Sequence, residues 1–92
     1  MDSEPNKYKV YVEVDLTIDK DGHMWPKALV WEDGATYEID KVLDVRPGYA
    51  AKAGGQGDKY TIQVAGQRRY LYFERSPNLS GNVIGRWFVE RK

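Results

Sequence analysis

Ninety-two residues without a single cysteine make one small domain, and they exclude disulfides, thiolate zinc sites and a thiol nucleophile. The formal charge is zero, which argues against strong nonspecific binding to nucleic acid. It is unevenly spread, with eleven acids against five bases in residues 1–45 and nine bases against three acids in residues 46–92. In a barrel the two halves of the chain intermix, and this asymmetry is expected largely to cancel.

The chain starts with MDSEPNKYK, which is polar and lacks the apolar stretch of a signal peptide. No run approaches the roughly 18 apolar residues that span a bilayer. A soluble, cytoplasmic monomer is expected, with no membrane contact. Residues 1–7 read as a disordered tail ahead of one domain covering 8–92.

Residues 8–18, YKVYVEVDLTI, alternate strictly. Tyr8, Val10, Val12, Val14, Leu16 and Ile18 point one way, and Lys9, Tyr11, Glu13, Asp15 and Thr17 the other, as in a half-buried strand. Asp19-Lys20-Asp21-Gly22 is a turn whose glycine supplies a positive φ and whose carboxylates accept local N–H groups. A second strand is predicted at 28–32, after Pro26, and Asp33-Gly34 forms a tight hairpin turn. The third strand, 36–45, has apolar Tyr37, Ile39, Leu43 and Val45 in phase but Val42 out of phase, which a bulge near 40–42 explains.

Residues 45–60, VRPGYAAKAGGQGDKY, interrupt the strands. A phosphate loop needs GxxxxGK followed by Ser or Thr and then a helix, and neither follows here. The stretch reads as a mobile hairpin loop. A fourth strand starts with Tyr60, Ile62 and Val64, a fifth is RRYLYFER at 68–75, and 76–81 is a loop. VIGRWFVE at 83–90 is the sixth strand.

Six short strands joined by turns, with a bent third strand, predict an all-β, SH3-like barrel. An OB-like barrel is the alternative. Its core is expected to hold Leu16, Ile18, Trp31, Tyr37, Ile39, Leu43, Ile62, Val64, Leu71, Phe73, Trp87 and Val89.

No catalytic residue, metal ligand or cofactor is predicted. Asp19-Lys20-Asp21-Gly22 opens like a calcium loop, but Trp25 and Lys27 stand where oxygen donors are needed. His23 is the one histidine, too few for an ordinary zinc site, and it has no evident serine partner. The more specific signal is basic and aromatic. Arg68, Arg69 and Arg75 interleave with Tyr70, Tyr72 and Phe73, and Arg86, Trp87, Phe88, Arg91 and Lys92 follow. With Leu71 and Phe73 facing the core, alternation sends Tyr70 and Tyr72 outward with Arg68 and Glu74.

WEDGATYEIDKVLDVRP, GGQGDKYTIQVAGQRRYLYFE and GRWFVE together resemble a family of short, single-domain bacterial proteins found among clostridia and relatives. The resemblance runs from about Val10 to Lys92 and rests on Trp31, Asp33-Gly34, Tyr37, Ile39, Val42-Leu43, Gly54-Gly55, Tyr60 and Gly85-Arg86-Trp87-Phe88. It implies no activity, cofactor or site residue. A shorter likeness, a W-x-x-G-x-x-Y then V-L spacing, is to small β domains adjoining bacterial Y-family DNA polymerases.

The expectation is therefore a non-enzymatic binding module. Its candidate contact residues are Arg68, Tyr70, Tyr72, Arg75 and Arg86. A protein is the expected partner, since Tyr, Trp and Arg are favoured anchors. The alternative is single-stranded nucleic acid, stacked on the tyrosines and neutralised by the arginines. A purely structural role, as cross-strand tyrosine pairs, competes with both.

Overall fold

Alternation along β1 (Lys9–Ile18) sets an inner and an outer side on which the other strands align. A computed structural model describes residues 9–50 and 56–91. β1 is followed by β2 (Met24–Val30), β3 (Thr36–Glu38), β4 (Lys41–Ala50), β5 (Gln56–Val64), β6 (Gln67–Ser80) and β7 (Val83–Glu90). All pairings are antiparallel. The sheet order is β3-β2-β1-β7-β6-β5-β4, and the sheet curls into a half-barrel. Among the described residues no helix is long and apolar enough to cross a membrane. The predicted tail, 1–7, lies outside the described residues.

Seven strands replace the predicted six because the third strand divides. Its first part pairs with β2. Ile39 N then donates to Lys27 O at 2.9 Å and Asp40 N to Gln63 O at 2.7 Å. Two residues thus carry the chain from β2 to β5, and the rest pairs with β5 as β4. The strands that end the sheet are consecutive in the chain, which is what curls it.

The predicted loop at 46–59 is mostly strand. β4 continues to Ala50, with Pro47 inside a register shift between Arg46 and Tyr49. An edge strand tolerates proline at such a shift. β5 starts at Gln56; Lys52 and Gly54-Gly55 lie outside the described residues. The predicted loop at 76–81 also shrinks, because β6 runs to Ser80, which pairs with Val83 across an irregularity after Arg75. The second strand starts earlier than predicted and contains Pro26, which faces Leu16 beside a bulge at Asp15/Leu16. The Asp33-Gly34 turn is as predicted: Gly34 has φ 89°, and Ala35 N donates to Asp33 Oδ1 at 2.9 Å.

The core fills the inner face with Leu29, Tyr60, Ile62, Leu71, Phe73 and Trp87. Trp87 sits between two rings, 5.1 Å from Tyr60 edge-on and 4.9 Å from Phe73. Tyr60 OH donates to Met24 O at 3.1 Å, tying β5 to β2 across the curl. Burial, and then the charge of Asp58, raises the Tyr60 pKa above its ordinary value, with Arg75 opposing.

Of the predicted core, Ile62, Leu71, Phe73 and Trp87 are buried, and Leu16, Trp31, Ile39, Val64 and Val89 pack partly buried against them. Ile18, Tyr37 and Leu43 are exposed instead. Ile18 ends its strand at a turn, and Tyr37 sits in a three-residue strand at the sheet's end. The bulge between Val42 and Asp44 turns Val42 inward and leaves Leu43 outside.

The β5–β6 hairpin closes on Ala65-Gly66, both with positive φ, 51° and 77°. A two-residue loop of that shape favours asparagine or glycine over alanine at its first position. Ala65→Gly or Ala65→Asn is expected to stabilise the domain by about 0.5–1 kcal/mol. Chemical denaturation reads this as a higher midpoint at unchanged slope.

Candidate functional site

Register determines which side chains share the outer face. Tyr11 pairs with Phe88, Phe88 with Tyr72, and Tyr72 with Lys59, so these four form one row across β1, β7, β6 and β5. Tyr72 and Phe88 stack at 5.1 Å with planes 10° apart, and Tyr11 meets Phe88 edge-on at 5.8 Å. The outer face thus carries its own apolar cluster, separate from the core. Cross-strand aromatic pairs of this kind add stability to a sheet.

Charged side chains cover this row. Lys9 lies across Phe88, its Nζ 4.9 Å from the ring centroid and 3.5 Å from Glu74 Oε1. Glu74 also accepts a hydrogen bond from Tyr11 OH at 2.8 Å. The Arg86 guanidinium sits 4.0 Å over the Tyr11 ring, and Lys59 Nζ 4.1 Å over Tyr70. The Tyr11 pKa is raised, first by burial and then by Glu74, with Arg86 opposing.

Four of the five predicted contact residues share this face: Arg68, Tyr70, Tyr72 and Arg86. They are not equally accessible. Tyr70 is 46% exposed and Tyr72 only 4%, so Tyr72 supports the surface and does not offer a contact. Arg75 stands on the opposite, inner side. Its Nη2 donates to Asp58 Oδ2 at 2.8 Å, and its guanidinium lies 5.9 Å from the Phe73 centroid. Asp58 is 5% exposed and Arg75 reaches it from the rim.

Tyr11, Lys9 and Lys59 were not among the candidates. Tyr11 had a signal, since it is an aromatic residue on the polar side of an alternating strand. Lys9 and Lys59 had none, because their partners belong to other strands.

The Asp19 turn is a closed structure of its own. Asp19 Oδ1 accepts from Asp21 N and His23 N, both at 2.9 Å, and Asp19 Oδ2 from Trp25 Nε1 at 2.9 Å. His23 Nδ1 lies 3.4 Å from Asp19 Oδ2. Asp19, Asp21 and His23 bring ligand atoms within 4.8 Å of one another, but Asp19 is already committed to N–H donors. Those hydrogen bonds, that of Trp25 first, lower its pKa from 3.8 to about 2. A depressed folded-state pKa stabilises above the unfolded value, and that contribution is lost as pH falls from about 3.8 through about 2. The Trp25 indole N–H resonance is expected to titrate with a midpoint near 2, and Asp19→Asn should abolish that step.

The chain matches no family model, no curated protein and no solved structure.

Proposed function

We propose that this domain is a non-catalytic module that binds a protein through the outer face of β5, β6, β7 and β1. Tyr70, Arg68, Arg86 and Tyr11 are the contact residues, and the Tyr72–Phe88 stack supports them. The observation that carries the reading is the second apolar cluster, which lies on the sheet face away from the core and is rimmed by exposed tyrosine and arginine. Rigid rings with cations already packed on them lose little side-chain freedom on binding, and Tyr and Arg are the residues that anchor protein interfaces. Arg75, paired on the inner side, is not part of this surface.

Base stacking is the weaker reading, because the faces it would use on Tyr70 and Tyr11 each carry a cation. The module's half-barrel is best grouped with SH3-like barrels. What supports this is the bent 36–50 segment, which pairs with β2 at one end and β5 along the rest.

A photocrosslinking residue at position 70, with one at exposed position 37 as control, tests the proposal in the producing cell. A discrete protein adduct specific to position 70, lost on Arg68→Glu with Arg86→Glu, is expected. A nuclease-sensitive adduct, or the same products from both positions, would overturn it.

A further inference from the structure

The charge asymmetry along the chain cancels only in part in space, through Asp44 on β4. The sheet order keeps β3, β2 and β1 on one side of the β1–β7 junction and β7, β6, β5 and β4 on the other. The outer face of the first group has an acidic excess, three carboxylates against the exposed Lys27 in the bulge opposite Asp15/Leu16. Asp15 and Glu38 both pair with Ala28, forming a row of two carboxylates about one methyl group, and Glu13 pairs with Val30 in the next row. Glu13, Asp15 and Glu38 are exposed. Among the described residues none of the three side chains has a hydrogen bond or ion pair.

The outer face of the second group is its complement. Arg68 is exposed and its side chain has no partner among the described residues. Arg86 rests on the Tyr11 ring with its N–H groups bound to no carboxylate. The neighbouring acid, Glu74, is occupied by Lys9 and Tyr11. One chain of zero net charge thus displays two sheet faces with excess charge of opposite sign, an arrangement that permits self-attraction.

We infer that the partner of the basic outer face is the acidic outer face of a second copy, so that β5–β6–β7 of one chain docks on β1–β2–β3 of the next. This rests on the reading of the basic face as a protein contact. The contact is heterologous: an open chain of copies keeps one free face of each sign, one at each end, and assembly continues head to tail. Both faces are the outsides of a curled sheet, so the area covered is small. The association is therefore weak and governed by salt, and the monomer expected from sequence is its dilute or high-salt form.

Two charge-reversed variants test this together with the wild type, by sedimentation equilibrium from low to high salt. The first is Arg68→Glu with Arg86→Glu. The second is Glu13→Lys with Asp15→Lys and Glu38→Lys. Circular dichroism verifies that each variant is folded. Wild-type mass should rise with concentration, to at least twice the monomer mass at millimolar protein and low salt, and return to monomer at high salt. Each variant alone should stay monomeric, because its two faces then carry the same sign. Mixed in equal amounts, the variants should associate again, because each supplies the face the other lacks. A wild type that is monomeric at low salt, or variants that fail to associate on mixing, would overturn the inference. Position-70 crosslinking to a different protein would still be observed in that case, which separates this failure from failure of the binding module itself.

Discussion

Trp87→Ala is expected to lower stability by about 3–5 kcal/mol. A domain of this length has on the order of 5–14 kcal/mol in all, at about 0.05–0.15 kcal/mol per residue. The loss therefore removes much of the folding free energy. Trp87 is 7% exposed and lies between Tyr60 and Phe73. Its removal opens a cavity where β5, β6 and β7 meet, and the rings beside it are held by their own strands and cannot collapse into the space. Tyr60 is also the residue that ties β5 to β2 through Met24 O, so a tilted Tyr60 loosens the curl as well as the core. Urea denaturation should show a lower midpoint at similar slope. Tyr72→Ala, on the outer face, should cost less, because solvent can fill the space it leaves. Equal losses for the two variants would contradict the division into a core and an outer cluster.

Strand phase was legible where alternation is strict. Lys9–Ile18 assigns its own two faces, and Leu71 and Phe73 do the same for β6. The predicted contact set counts Arg75 with the tyrosine face although positions 71, 73 and 75 share a side by the same alternation, and its pair with Asp58 corrects that placement. What alternation cannot reveal is whether an outward residue is exposed. Tyr72 points outward and is nonetheless buried, because Phe88 stacks on it from the next strand. That depends on register between strands, which local sequence does not specify. Sheet order was likewise illegible. A ring of strands that mixed the two halves of the chain would have cancelled the charge asymmetry, whereas the observed order preserves much of it. The glycine-rich stretch misled for a related reason: glycine signals a loop by default, but Gly57 is placed by the backbone of its neighbour.

Gly57→Ala is expected to destabilise by about 3 kcal/mol, which at about 4–8 °C per kcal/mol lowers the melting temperature by roughly 12–24 °C. Gly57 pairs with Glu74, and a Cβ added there would run into the Phe73 carbonyl oxygen. The Phe73 backbone is paired with β5 on one side and β7 on the other and has little freedom to withdraw. Gly85 approaches β6 from its other edge, where a Cβ would meet the Glu74 carbonyl oxygen and come within 2.5 Å of Phe73 Cζ. The two glycines therefore let β5 and β7 close on the segment of β6 that carries Phe73 against Trp87. Gly22→Ala is the control: its φ is 90° but a Cβ there meets nothing within 4 Å, so only the backbone conformation is penalised, by about 1–2 kcal/mol. A second change separates the two crowded sites. Phe73→Leu removes the ring atom nearest Gly85 and leaves the carbonyl facing Gly57 in place. It should recover part of the loss in Gly85→Ala and none in Gly57→Ala, a difference that double-mutant cycles read as coupling at one site only. Melting of Gly57→Ala within a degree or two of wild type would mean that β5 and β6 do not approach as closely as their pairing requires.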